Sequence, residues 1–251
     1  MPILTGAFII AMSFLTAALS GVFGMAGGLL LKGALALVLP VSATFVVHGL
    51  LQLVANAWRA ILHRKFIDLK IVGLFAVGSF VAGGLMYYVA LEPTKATLYL
   101  LMGLVPGLVW LPDGWIKVDA SRPGQALFAG FIVTGTNLTA GVAGPLLDVF
   151  FVRTAMTRHQ IVATKAGTQV FSHIMKIVVY GAPLLATAGR GVPPLWVFAF
   201  AVPLSMLGTA AGGVVLNRLS DVNFKRYLRL ILTVIGAAYL VQAARLYLGA
   251  G

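Results

Sequence analysis

The sequence predicts an all-α polytopic membrane protein made of two inverted structural repeats, each a broken or re-entrant helical hairpin followed by three transmembrane helices. Three observations carry that prediction. The 251 residues are 60% hydrophobic and only 10% charged, whereas a soluble domain carries about a quarter charged residues. Two glycine-rich breaks, Gly21 to Gly28 and Gly135 to Pro145, interrupt apolar tracts and fall into register when one is shifted by 117 positions. Basic residues border the apolar segments, as they do in short cytoplasmic loops.

In chain order, the first apolar tract covers 3–39 and contains the first break. Met1-Pro2-Ile3-Leu4 lacks a basic n-region, so the start reads as mature membrane sequence rather than a secretory signal. Segments 43–62, 71–91 and 96–111 follow, each close to the roughly 20 apolar residues that span the hydrocarbon as a helix. The most polar interruption, Pro112 to Pro123, is expected to link a first repeat (1–111) to a second (124–251). The tract 124–152 then holds the second break, and 161–183, 194–216 and 228–248 complete the repeat. A tract of 29 residues reaches about 43 Å as helix, so neither arm of 124–152 spans once it is split at its glycines. Two short half-helices or a re-entrant hairpin are predicted, with a tip buried in protein at the midplane, because lipid cannot satisfy bare backbone.

Charge bias relates the two halves. If the basic 63–70 and 217–229 loops are both cytoplasmic, 124–152 starts and ends on one side. Equivalent loops then face opposite ways, and the repeats are inverted. A parallel arrangement would put seven basic residues, among them Arg153, Lys165 and Arg229, at or near the outer face.

Each break is a candidate anion site, because a helix that starts after a glycine turn presents free N–H groups and a partial positive charge. Gly24, Gly27 and Gly28 in the first break and Gly141 and Gly144 in the second are the backbone candidates, with Ser20, Thr136, Asn137 and Thr139 as neighbouring donors. Tight helix packing by small residues is the plainer reading of such glycines. Two breaks in register favour a site. A polar row also repeats: His48, Gln52, Asn56 and Arg59 lie on one helical face, and Lys165, Gln169, His173 and Lys176 recur at the same spacing. Arg59 and Lys165, near span ends, suit snorkelling as well as function, whereas the deeper members are expected to face a substrate path.

Of six acidic residues only Asp148 is buried by sequence. Asp148 reads either as a proton-coupling group or as an ion-pair partner of a basic residue such as Arg153 or Lys176. His48 and His173 are further coupling candidates, since histidine titrates near neutrality. Cationic groups and helix N-termini without carboxylates suit a small anion, not a metal or other cation. No cysteine, HExxH, P-loop or G-x-S-x-G motif occurs, so nothing supports a cofactor, ATP use or hydrolysis. The formal charge of +12 is spread along span borders and not gathered in a nucleic-acid-binding domain.

The order Gly24-Met25-Ala26-Gly27-Gly28, Leu39-Pro40-Val41-Ser42-Ala43-Thr44 and Arg64-Lys65-Phe66-Ile67-Asp68 resembles the TauE/SafE sulfite exporter family. Gly141-Val142-Ala143-Gly144-Pro145 and Ile161-Val162-Ala163-Thr164 look like its repeat. Aligning the two Ala-Thr pairs needs a shift of 120 instead of 117, so two registers of the polar rows stay open. The resemblance implies a secondary carrier of sulfur oxyanions, such as sulfite or organosulfonates including sulfoacetate, in a bacterial inner membrane. An anion channel would use the same charges. A membrane-embedded enzyme would need a nucleophile with its base, and the residues supply none.

Overall fold

The computed structural model describes residues 1–24, 26–89, 93–110, 118–141, 143–151, 154–186, 189, 191–216, 218 and 221–249. All regular structure among them is helical. The helices are α1 (Ile3–Phe23), α2 (Ala26–Val38), α3 (Val41–Leu62), α4 (Leu69–Val89), α5 (Lys95–Leu104), α6 (Pro123–Thr139), α7 (Gly144–Phe151), α8 (Arg158–Ala186), α9 (Leu195–Leu216) and α10 (Asp221–Tyr247).

Local chemistry sets the boundaries. Gly24 ends α1 at φ 73° and Gly141 follows α6 at φ 79°, a left-handed conformation that glycine adopts at little cost. These two turns are the pair matched by the shift of 117. The Asp68 carboxylate accepts from the Lys70 and Ile71 N–H groups and opens α4. Thr157 and Gln160 form a reciprocal capping box before α8. Thr94 caps α5 and Pro123 occupies the first turn of α6.

Among the described residues six helices are long and apolar enough to cross a membrane: α1, α3, α4, α8, α9 and α10. The two breaks are built unequally, and one span differs from expectation. The first arm of the first break, α1, has 21 residues and is a full span, whereas the 17-residue α6 covers only about 26 Å. The expected span 96–111 is shorter than it reads, because α5 tightens into a 3-10 turn from Val105 to Trp110. Pro106 lacks the N–H that would continue the α ladder there.

The halves interlock. The principal packing pairs are α1 with α9, α4 with α6, α3 with α8 and α5 with α10, a set unchanged when α1–α5 are exchanged for α6–α10. Close glycine contacts fix the first two pairs. Gly21 and Gly212 bring α1 and α9 together, and Gly130 lies against the Phe75 backbone of α4, where Ser79 and Thr134 share a 2.8 Å hydrogen bond. The other two pairs run antiparallel: His48 meets Lys176 while Phe66 lies tilted against His159, and Thr97 meets Tyr247 while Trp110 meets Thr233. Both apolar clusters draw residues from both halves, so neither half has a core of its own. Of the expected linker, 112–117 lies outside the described residues. Ala120 is buried, its N–H bonded to the Phe150 carbonyl.

Candidate functional site

The half-helix α2 is too short to span and has to be held by its neighbours. Tyr239 on α10 donates to the Leu29 carbonyl at 2.9 Å and Tyr99 on α5 to the Gly33 carbonyl at 3.2 Å. At the other break Tyr180 on α8 donates to the Leu138 carbonyl, one of the last four of α6 that lack a helical partner. These bonds fix both breaks inside protein, where bare backbone is tolerated.

Between the breaks lies a hollow. Gly24, Gly28 and Leu29 form its wall from the first break, Ala143 and Gly144 from the second. His48, Gln52 and Asn56 reach it from α3, Gln169 and His173 from α8, and Asn137 from α6. No Asp or Glu among the described residues lines it. Its free space is about 20 Å³, room for about one water.

The polar network around the hollow has a definite sense. Lys176 Nζ donates to the Gly141 carbonyl at 2.6 Å and lies 3.2 Å from His48 Nδ1, while His48 Nε2 lies 2.9 Å from the Gly28 carbonyl. An ammonium only donates, and a carbonyl only accepts. His48 therefore accepts at Nδ1 and donates from Nε2, which is the neutral tautomer. Lys176 and His48 thus connect the two breaks through one chain of bonds. Asn137 Nδ2 donates to Ser172 Oγ at 2.7 Å, and Asn56 Nδ2 donates to the Gln52 carbonyl. Two of its buried polar atoms, Gln169 Nε2 and His173 Nδ1, have no hydrogen-bond partner among the described residues. Such atoms are uncommon and costly away from a ligand or water.

Most of the sequence-predicted residues meet here: Gly24, Gly28, His48, Gln52, Asn56, Asn137, Gly144, Gln169 and His173 on the wall, and Gly141 and Lys176 just behind it. Four do not. The Thr136 and Thr139 hydroxyls are spent on carbonyls of their own helix. Gly27 is pressed against the Thr16 carbonyl and Ser20 of α1, so that both it and Ser20 serve the α1–α2 contact.

Asp148 also lies apart from the hollow, in an ion pair with Lys165. The expected partners differ: Lys176 is engaged by Gly141 and His48, and Arg153 lies outside the described residues. Asp148→Asn should therefore lower the melting temperature, because it leaves Lys165 without its counter-charge, a loss of about 1–3 kcal/mol for a half-buried pair. Transport should stay within a few-fold of the parent. A lost transport rate with unchanged melting would make Asp148 a coupling group instead.

One buried lysine escaped the sequence reading. Lys32 on α2 has no hydrogen-bond partner among the described residues, and its Nζ stands 3.1 Å from the centre of the Phe45 ring. Its signal was available: it is the only charged residue in the tract 3–39 and sits one turn beyond Gly28.

Interlocked apolar helices, two buried breaks and a carboxylate-free hollow between them define a multi-pass membrane protein of the transporter class. Residues 9–239 match the family model "Sulfite exporter TauE/SafE", and the chain belongs to that family. The family is one of membrane transporters for sulfite and related sulfur anions. No curated protein and no solved structure matches the chain.

Proposed function

We propose that the protein is a secondary transporter of the bacterial inner membrane that exports a small sulfur oxyanion, sulfite or an organosulfonate, by alternating access. The observation that carries this reading is the convergence of both helix breaks and both polar rows on one hollow without a carboxylate. N–H groups at the start of α7, the Gln52 and Gln169 amides and the His173 ring supply donors, and Lys176 supplies charge. An unpaired buried donor finds its acceptor when an oxyanion enters.

The inverted-repeat reading is supported by the exchange-invariant packing and by the antiparallel run of α3 against α8 and α5 against α10. A twofold axis that maps a helix onto an antiparallel partner lies across the helices, hence in the membrane plane. A hollow with room for one water is too small for a sulfur oxyanion. Loading therefore needs one repeat to rock against the other, opening the hollow to one side at a time.

The decisive experiment is uptake of radiolabelled sulfite, sulfoacetate, thiosulfate and sulfate into inverted vesicles and proteoliposomes. The parent should saturate with a sulfur anion, and Gln52→Ala should raise the half-saturating concentration about tenfold, the cost of one lost hydrogen bond to a charged group. Unsaturable flux with unitary currents in planar bilayers would favour a channel. No transport of any of the four anions would defeat the reading.

A further inference from the structure

Lys32 and Lys176 bracket the same residue. Lys176 Nζ donates to the Gly141 carbonyl at 2.6 Å, and a Cβ added to Gly141 would come within 2.5 Å of Lys32 Cε and 3.2 Å of its Nζ. Both lysines are buried, and both face the ring of Phe45, Lys32 at 3.1 Å and Lys176 at 5.7 Å from its centre. Tyr180 stacks on that ring at 4.0 Å, holding it in place. Gly28, which lines the hollow, is one helical turn from Lys32, about 6 Å along α2.

The charge balance here is one-sided. The one carboxylate described within the helix tracts of the breaks, Asp148, is paired with Lys165. Among the described residues Lys32 has only an aromatic face as partner, and that attraction falls well short of the cost of taking an ammonium out of water. An ammonium at this position therefore lacks a counter-charge among the described residues. Glycine at 141 is required by its φ of 79°, and the end of the Lys32 side chain packs into the space where a Cβ would stand. The second break is thus shaped around Lys32.

We propose that Lys32 is a second cationic contact of the transport site, and that the preferred occupant carries two negative charges. One charged end binds among the donors of the hollow, and the other meets Lys32 and Lys176 behind Gly141. The inference rests on the anion-carrier reading above and narrows it to doubly charged sulfur compounds, such as a sulfonate bearing a carboxylate.

The test is calorimetric titration of the purified full-length protein in detergent with sulfoacetate and with its methyl ester, which differ by one charge at similar shape. The parent should bind sulfoacetate at least about fivefold more tightly than the ester, and Lys32→Met should lower that ratio at least about threefold. A smaller parent ratio, or a variant that keeps the parent's ratio, overturns the role of Lys32 and leaves the anion site standing. The parent's own ratio decides the matter if the variant does not yield folded protein. Failure of the parent to bind either compound would overturn the two-charge proposal, while the uptake of the four anions decides the carrier reading separately.

Discussion

Lys176→Met is expected to abolish transport, by about a hundredfold or more, while the protein remains folded and monodisperse. The side chain lies within α8, fully buried, and its ammonium is the bond between the two breaks, to the Gly141 carbonyl on one side and His48 on the other. Losing one partner of a buried charge-assisted contact costs about 2–5 kcal/mol, which is roughly thirtyfold to several thousandfold in an equilibrium or rate. Stability should change far less. Methionine is nearly isosteric and removes a buried cation, a gain that offsets the two acceptors it leaves bare. Vesicle uptake and a detergent melting curve together check the split. Transport above about a tenth of the parent rate would remove Lys176 from the mechanism, and collapse of the fold would make it structural.

Gly27→Val should fail at the earlier step. A Cβ at this position would run into the Thr16 carbonyl and Ser20, and backbone atoms cannot rotate aside as a side chain tip can. Overpacking a core costs about 1–3 kcal/mol, and a clash with backbone belongs at or above the top of that range. The expected result is loss of the monodisperse peak in size-exclusion chromatography or a melting temperature lower by several degrees. Gly73→Val, on the open face of α4 with nothing within 4 Å, is the matched control and should behave as the parent. Equal melting of the two variants would show that α1 and α2 are not in close contact, and with that the geometry of the first break would be lost.

The polar rows were legible because a membrane helix conceals no polar residue in its apolar composition. His48, Gln52 and Asn56 stand out at helical spacing, and all three line the hollow. Thr136 and Thr139 carry the same donor chemistry beside a break, yet their hydroxyls turn back onto their own helix. Hydroxyls of serine and threonine have that local alternative within one turn; Asn56 uses it too, through Nδ2 to the Gln52 carbonyl, but its longer amide still lines the hollow. The reach of a donor depends on its rotamer and neighbours, which spacing does not encode.

Composition and hydropathy alone determined that this chain lives in a membrane as helices, because about 20 apolar residues have no other stable use in water or lipid. The duplication of the breaks and the family motifs were likewise written in the residues: Gly24 and Gly141, matched by position, share one left-handed turn. Only the tertiary structure decided who meets whom. It gave Lys165 to Asp148 and Lys176 to His48, brought Lys32 against Gly141, and turned Gly27 from a ligand contact into a packing contact. The reason is that Lys176 and His48, like the two breaks, come from segments more than a hundred residues apart, and even Asp148 and Lys165, 17 positions apart, sit on different helices, so their approach is set by helix packing rather than by any local preference.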